Sequence, residues 1–207
     1  MFCLMDHNKI LAVVLAGGKS KRFGRDKSQV KLGSKLLIDY ILTEIIDLYK
    51  EILIVTNEPI KFLKSDKIST TSDFKKGLGP LGGVFSAMKW VKDNRKDYKW
   101  ISTFPIDTPF FKIEHLNKFY KEINLDKSNL YFMKSKNTRH NIFGLWSLEL
   151  FEKLEIALKK GDRKVELWAN EIGVKTIDFK FENNKDPFFN INTKEELEFA
   201  KKLLNND

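Results

Sequence analysis

Cysteine is almost absent from this sequence of 207 residues, in which Cys3 is the single cysteine. One thiol excludes an intramolecular disulfide framework and a metal cluster built on cysteines. We therefore expect a protein of a reducing compartment, and a cytoplasmic location fits.

Long apolar runs are also missing from the first part of the chain. In MFCLMDHNKILAVVLAGG, the polar residues 6–9 interrupt what could have been the apolar region of a signal peptide. The stretch that follows is far shorter than the ~20 apolar residues that cross a bilayer. We expect neither secretion by that route nor a membrane span, and we interpret residues 1–8 as a leading tail.

Histidine is scarce, and the three histidines do not form a recognisable catalytic set. His7 lies in the leading tail, His115 in the first turn of an expected helix, and His140 in a loop before an expected strand. None belongs to a convincing Ser/His/Asp or Cys/His arrangement. This argues against hydrolysis through a covalent intermediate.

The charge is unbalanced, with a formal net charge of +9 and a pI near 9.4. Such a balance is found in proteins that bind nucleic acids, but also in proteins whose solvated faces are rich in lysine. The sequence contains neither an aromatic RNA-binding motif nor a helix-turn-helix pattern, which speaks against a nucleic-acid partner. We therefore attach functional meaning only to the basic loop after residue 17.

Apolar patterns alternate between strands and helices along the chain. The run ILAVVLA (10–16) is typical of a strand buried on both faces. Strands are predicted over 10–16, 51–57, 67–70, 98–107, 129–134 and 142–146. A first helix is predicted from residue 37, with Ser34 as its N-cap. Further helices are predicted over 81–92, 112–123 and 147–160, the last with Ser147 as its cap. A final helix is predicted after the capping box formed by Thr193 and Glu196.

This alternation predicts the α/β class, as a three-layer α/β/α sandwich with a mostly parallel, Rossmann-like sheet. No repeat, linker or low-complexity tract divides the chain, and the length suits one core. We therefore expect residues 1–207 to form a single domain.

Polar residues follow the strands at the positions where parallel sheets bind ligands. Gly17 and Gly18 lead into the basic loop, while Asn57, Asp73 and Asp107 follow later strands. A glycine pair exposes backbone N–H groups to an anion, and the surrounding lysines and arginines add positive charge. The loop is therefore expected to hold phosphates.

Two phosphate-binding motifs are present only as fragments. Gly18-Lys19-Ser20 resembles the end of a Walker A loop, but Val13 occupies the position of the glycine that this motif requires. GLGPLG (77–82) spells a dinucleotide-binding fingerprint, but Pro80 lies inside it and no acid follows at the required distance. We interpret these glycines as the entry to a helix.

Asp107, in FPIDTP, is the most informative acid. A carboxylate at the end of a central strand, opposite a cationic loop, can hold Mg²⁺ together with substrate phosphates. Taken alone, Asp107 could instead begin a turn, Lys27 could be a solvated lysine, and Asn57 and Asp73 could be turn residues. Their expected position on one edge of the sheet favours a common site.

Several motifs together resemble a known family. LAGGKSKRFGRDK is similar to the signature of sugar-phosphate and cofactor nucleotidyltransferases. With IVTN, SDFKKGLGPLGGVFSAM, FPIDTPFF, RHNIFGLW and FFNINTKEEL, in that order, the chain resembles the molybdenum cofactor guanylyltransferases from Ile10 to Leu204. Molybdopterin cytidylyltransferases share parts of this pattern. The resemblance implies transfer of GMP from GTP to Mo-molybdopterin, with Mg²⁺, to give the guanine dinucleotide cofactor and pyrophosphate.

The resemblance also implies roles for particular residues. Those expected to bind GTP are Leu15, Ala16 and Gly17 through their backbone, Lys27 through the phosphates, Asn57 and Asp73 at the nucleoside, and Asp107. Asp107 and Lys27 are the expected catalytic residues, and Asp107 is the expected metal ligand. Phe23 and Asn141 stand where the family usually has methionine and proline.

Alternatives remain within and outside this class. A related Mg²⁺-dependent enzyme could use CTP or another phosphorylated acceptor, and a non-catalytic nucleotide-binding protein could act as a chaperone of molybdoenzymes. The presence of both Asp107 and Lys27 speaks against the non-catalytic alternative. Besides GTP and Mo-molybdopterin, proteins that deliver molybdopterin or receive the cofactor are candidate partners.

Overall fold

The computed structural model describes residues 6–17, 29–62, 64–181 and 186–205. Its strands are β1 (Ile10–Leu15), β2 (Lys31–Leu32), β3 (Lys35–Leu36), β4 (Ile52–Val55), β5 (Ile68–Thr71), β6 (Trp100–Pro105), β7 (Leu130–Ser135), β8 (Thr138–Ser147) and β9 (Lys175–Phe179). Its helices are α1 (Leu37–Ile45), α2 (Gly79–Asp93), α3 (Ile113–Glu122), α4 (Phe151–Lys160), α5 (Val165–Ile172) and α6 (Lys194–Asn205).

The central sheet has seven strands in the order β5-β4-β1-β6-β8-β7-β9. The first four strands run parallel to one another, and β9 runs parallel to β7. Strand β8 is antiparallel to both of its neighbours, β6 and β7. The mostly parallel sheet that the sequence predicts is therefore confirmed.

Strand β1 shows why the sheet is covered on both faces. Its side chains alternate, so that Ala12 and Val14 pack in one apolar cluster with residues of α1 and α3. Leu11 and Val13 pack in a second cluster with residues of α2, α4 and α5. The resulting arrangement is helix layer, sheet, helix layer, as predicted.

The start of the first helix differs from the prediction. Ser34 is not its N-cap, because it lies in the turn of a small antiparallel hairpin formed by β2 and β3. Gly33 adopts a φ of +61° in that turn, a conformation that glycine adopts without steric cost. Helix α1 instead begins after Leu36, with no capping bond from a side chain.

The second half of the chain contains two elements that the sequence analysis did not predict, α5 and β9. The start of α5 has no side-chain cap, and β9 is mostly exposed, so both lack strong local signals. Strand β8 begins at Thr138 rather than residue 142, because Lys136 and Asn137 form a tight turn with positive φ. Ser147 caps a short 3-10 turn (148–150), and α4 follows from Phe151.

Part of the segment interpreted as a leading tail is described. Asp6 accepts a hydrogen bond from the Asn8 N–H, and residues 7–9 form one 3-10 turn. The His7 ring packs edge-on against Tyr120, with 5.1 Å between ring centroids. Burial lowers the pKa of His7 below its ordinary value. The described end of this segment is therefore packed against α3.

Two local predictions are confirmed. Strand β6 ends at Pro105, which has no N–H to donate to a neighbouring strand. The Thr193 hydroxyl accepts from the Glu196 N–H at 3.1 Å, and the Glu196 carboxylate accepts from the Thr193 N–H at 2.9 Å.

Across the described ranges, no helix combines the length and the apolar character needed to cross a membrane.

Candidate functional site

The ends of the four parallel strands lie in one row. Thr71 of β5 pairs with Val55 of β4, Val55 pairs with Leu15 of β1, and Leu15 pairs with Pro105 of β6. Each is the final residue of its strand. The carboxyl ends of these four strands are therefore level with one another along one edge of the sheet.

The polar candidate residues lie along this edge, each two residues beyond the end of its strand. Their order across the sheet is Asp73, Asn57, Gly17 and Asp107. Neighbouring strands are about 4.8 Å apart, so each residue lies within reach of the next. The strand register thus brings together four of the residues that the sequence predicts at one edge, whereas Lys27 lies outside the described residues.

Asn57 and Asp73 are joined by two hydrogen bonds. The Asn57 side-chain N–H donates to the Asp73 carboxylate at 2.6 Å. In return, the Asp73 backbone N–H donates to the Asn57 side-chain carbonyl at 3.2 Å. We call this pair of hydrogen bonds the Asn57–Asp73 bracket. Because both residues are partly buried, the bracket fixes the position of the loop after β4 relative to the loop after β5.

Gly17 lies directly beside this pair. A Cβ atom at this position would be 3.4 Å from the Asp73 carboxylate and 3.8 Å from the Asn57 side-chain nitrogen. The Ala16 N–H donates to the Val55 carbonyl at 2.9 Å and continues the sheet by one residue. The backbone of residues 15–17 therefore runs alongside the Asn57–Asp73 pair, and a Cβ atom at position 17 would be in van der Waals contact with both side chains.

The first turns of α2 form the other wall beside Asp73. A Cβ atom at Gly83 would lie 3.8 Å from the Asp73 carboxylate and 3.1 Å from the Leu15 side chain. Pro80 lies in the first turn of this helix, where its missing N–H costs nothing. The interpretation of GLGPLG as a helix entry is therefore confirmed.

Asp107 connects the strand edge to a distant part of the chain. Its backbone carbonyl accepts a hydrogen bond from the Ile191 N–H at 2.9 Å. The residue itself is partly buried. The segment FFNINT, which precedes α6, is thus held beside the end of β6.

The donor set at this edge fits Mg²⁺ delivered with phosphates. In the described ranges, no group of three or more His, Cys, Asp or Glu side chains is arranged to hold a metal by itself. Mg²⁺ is commonly held by one or two carboxylates together with substrate phosphates and water. A single carboxylate at the end of β6, Asp107, is compatible with that mode of binding.

Lys27 and Gly18 lie outside the described residues, as does most of the basic loop. Their expected contacts with phosphates stay predictions. Lys31, at the end of the loop, is described and is exposed on β2.

His140 has a more ordered setting than the sequence analysis expected. It lies in β8, its Nε2 atom is 2.7 Å from the Ser135 hydroxyl, and its ring stacks on Phe188 with 4.1 Å between centroids. Burial lowers its pKa, while nearby Asp186 acts in the opposite direction. This packing could not be predicted from local patterns, because Phe188 is distant from His140 along the chain.

Ser86 is a second residue that the sequence analysis did not single out. It is a small polar residue within the apolar stretch VFSAM of α2, and it is 4% exposed. Its hydroxyl accepts from the Phe74 N–H at 2.8 Å, directly after Asp73. An isolated serine on an apolar helix face is a weak signal, and its partner is visible only in the fold.

Comparison with known proteins identifies a family model and relatives that match this chain. The family described as MobA-like NTP transferase domain matches residues 12–172. A molybdenum cofactor guanylyltransferase of Rhizobium rhizogenes is 30% identical, over 97% of this chain and 95% of the relative. One from Haemophilus influenzae is 33% identical, over 91% of this chain and 95% of the relative.

Solved structures share the fold. Molybdopterin-guanine dinucleotide biosynthesis protein A from Archaeoglobus fulgidus superposes with a TM-score of 0.74 at 23% identity, covering 95% of this chain and all (100%) of that one. The 4-diphosphocytidyl-2C-methyl-D-erythritol synthase from Anaerococcus prevotii superposes with a TM-score of 0.71 at 13% identity, covering 98% of both chains. At these identities the likeness shows the fold alone. Together with the family match and the closer sequence relatives, it leads to one conclusion: the chain belongs to the molybdenum cofactor guanylyltransferases, a family of MobA-like NTP transferases.

Proposed function

We propose that this protein transfers GMP from GTP to the terminal phosphate of Mo-molybdopterin, giving molybdopterin guanine dinucleotide and pyrophosphate. The observation that carries the proposal is the row of Asp73, Asn57, Gly17 and Asp107 along one sheet edge. It occurs in a chain whose relatives are named for guanylyl transfer.

The nucleoside is assigned to the part of the edge formed by β5, β4 and β1. The bracket between Asn57 and Asp73 holds the Asp73 carboxylate in one orientation. A carboxylate can accept hydrogen bonds from the N–H edge of guanine, which adenine lacks. The exposed backbone at Gly17 lets the nucleotide approach the strand end closely.

The phosphates are assigned to the basic loop and to Asp107. In-line attack on the α-phosphorus depends mainly on positioning and on neutralisation of charge. Lys27 would bind the phosphates as a cation, and Asp107 would hold Mg²⁺. When bound, Mg²⁺ neutralises negative charge on the phosphates and on the leaving pyrophosphate.

The acceptor requires little help from a base. A terminal phosphate has a second pKa of about 6, so it is largely doubly ionised at neutral pH. The attacking oxygen therefore carries its negative charge before the reaction begins. This agrees with a site edge on which the aligned residues, Asp73, Asn57, Gly17 and Asp107, include no histidine.

A cytidylyltransferase is the second candidate. The 4-diphosphocytidyl-2C-methyl-D-erythritol synthase from Anaerococcus prevotii has a similar fold. The fold therefore does not distinguish an enzyme that uses CTP from one that uses GTP. The choice depends on contacts with the base. We keep GTP because the sequence relatives are guanylyltransferases.

The proposal extends to the setting of the reaction. We take residues 1–207 as one nucleotidyltransferase domain that acts in the cytoplasm on GTP and Mo-molybdopterin, with Mg²⁺ as cofactor. Proteins that deliver molybdopterin or receive the dinucleotide are its expected partners, and nucleic acid and membranes are not.

A ligand screen followed by an activity assay tests the function. The melting temperature is measured with GTP, CTP, ATP and UTP, each with Mg²⁺, because a ligand that binds the folded state raises apparent stability. We expect GTP to give the largest shift, and we expect a generic RNA oligonucleotide not to displace it at near-physiological salt. Formation of pyrophosphate and guanine dinucleotide from Mo-molybdopterin then measures transfer. A larger shift with CTP, or equal binding of ATP, would contradict guanylyl transfer.

A further inference from the structure

Ser86 connects helix α2 to the loop that carries Asp73. Its hydroxyl donates to the Gly82 carbonyl at 2.7 Å, one turn earlier in the helix. The same oxygen accepts from the Phe74 N–H at 2.8 Å. One buried hydroxyl therefore fixes the backbone immediately after Asp73.

Apolar packing contributes little at the end of this loop that carries Asp73, although Leu78 at its other end is buried. Phe74 contacts Phe85 edge-on, with 5.5 Å between ring centroids, but its side chain is 60% exposed. Residues 75–77 are exposed as well. The backbone at this end of the loop is therefore attached by two hydrogen bonds, from the Asp73 N–H to Asn57 and from the Phe74 N–H to the buried side chain of Ser86.

Asp73 thus lies between two attachments. On one side Asn57 brackets its carboxylate and its N–H, and on the other Ser86 holds the next peptide. A Cβ atom at Gly17 would approach the Asp73 carboxylate to 3.4 Å. That spacing is ordinary van der Waals contact, so the Asp73 carboxylate lies directly beside the end of β1, and a rotation of the loop would move it relative to that strand end.

We infer that Ser86 is a positioning residue for nucleoside recognition, acting through Asp73. The inference rests on the proposed function, in which Asp73 binds the nucleoside part of GTP. Without the hydroxyl, the Phe74 N–H loses its partner in the protein, and the exposed loop is free to turn outward toward water. That movement carries Asp73 with it, whereas contacts to the phosphates stay unchanged.

Ser86→Ala tests this inference, with Ser147→Ala as a matched control. Ser147 is also 4% exposed, and its hydroxyl accepts from the Glu149 N–H at 3.2 Å. It pairs with Trp100 at the start of β6, at the opposite end of the sheet from the site. Both variants therefore remove the acceptor of a backbone N–H on a buried side chain, but only Ser86 holds the peptide next to Asp73.

Calorimetry with two probes, Mg²⁺-GTP and Mg²⁺-tripolyphosphate, separates the two parts of the site. We expect Ser86→Ala to weaken GTP about three- to tenfold, the loss of one net hydrogen bond. Binding of tripolyphosphate is expected to stay within about twofold, because it lacks the nucleoside. Ser147→Ala is expected to leave both affinities unchanged. Ser86→Thr, which keeps the hydroxyl, is expected to restore the affinity for GTP.

Other outcomes overturn the inference. It fails if Ser86→Ala binds GTP as wild type does, if it weakens both probes equally, or if Ser86→Thr loses as much as Ser86→Ala. Should the alanine variant not fold, Ser86→Cys fills the same space with a weak donor and acceptor, and the same pattern is required. If wild type shows no preference for GTP, the proposed function fails instead, so the two failures are distinguishable.

Discussion

The two halves of the sheet edge are built by different means. Along the parallel half, the strand ends carry small polar residues: Asn57 and Asp73 are joined by two hydrogen bonds, and Ser86 accepts from the next N–H, that of Phe74. Along the antiparallel half, rings dominate: His140 stacks on Phe188, and Phe111 stacks on Phe143 at 4.7 Å. Directional bonds fix single atoms, whereas ring packing mainly fills space.

This difference predicts whether a substitution first reduces ligand binding or first reduces stability. On the parallel half, the loss of one polar atom changes the position of another, so binding should suffer before stability. On the antiparallel half, a change of volume disturbs close-packed rings and backbone, so stability should suffer first.

The largest expected effect is that of Asp107→Ala on turnover. The variant is expected to fold but to lose at least a hundredfold in guanylyl transfer, about 2.7 kcal/mol or more in the activation barrier. The rate at saturating GTP and Mg²⁺ measures this loss. Asp126→Ala, in an exposed loop before β7, is the control and should retain activity. Wild-type turnover by Asp107→Ala would remove this residue from the metal site.

Lys27→Ala should have the next largest effect. A charge-assisted hydrogen bond to phosphate is worth roughly 1.5–3 kcal/mol, so affinity for GTP should fall on the order of ten- to a hundredfold. Lys31→Ala, on the exposed face of β2, should change affinity little. Equal losses in titrations of the two variants would indicate a diffuse positive surface in place of a specific contact.

Gly144→Ala tests the antiparallel half. A Cβ atom there would lie 2.6 Å from the Tyr131 carbonyl oxygen and would also overlap the Phe132 ring. We expect a loss of about 1–3 kcal/mol in the free energy of unfolding, measured in urea, because overpacking displaces the backbone. Lys175→Ala on exposed β9 is the control. If the folded Gly144→Ala protein also lost affinity for GTP, the separation between the two halves would not hold.

The smallest effect expected is a dependence of stability on pH. Burial lowers the pKa of His140, so below its ordinary pKa of about 6.5 the unfolded chain binds a proton that the folded chain does not. The free energy of unfolding should therefore fall as pH decreases from about 6.5 toward the lowered value. Denaturation curves at several pH values should show a smaller decrease for His140→Gln than for wild type. An unchanged decrease would assign the effect to His7, whose pKa burial also lowers.

Much of the fold could be predicted because its signals are local. The apolar run of β1 indicates burial on both faces, Pro105 ends β6, and Thr193 with Glu196 marks the start of α6. Elements that lack such local signals were not predicted. Ser34 resembled a cap but lies in a hairpin turn, and β9 is mostly exposed.

The site could be predicted only as a group of residues at one edge. That Asp73, Asn57, Gly17 and Asp107 each lie two residues beyond a strand end follows from the strand register, which the sequence does not specify. The role inferred for Ser86 depends on a contact across the loop between β5 and α2. The contacts of these residues with GTP stay predictions.

The hydrogen bond between the Ile191 N–H and the Asp107 carbonyl also has a consequence for the growing chain. Asp107 leaves the ribosome about 80 residues before Ile191, which at roughly 5–20 residues per second is a delay of about 4–16 s. During that interval the four parallel strands can pair, while the edge beside Asp107 still lacks the segment that covers it. Nascent chains of this protein should therefore pass through a state in which the four parallel strands are paired before the segment around Ile191 joins them.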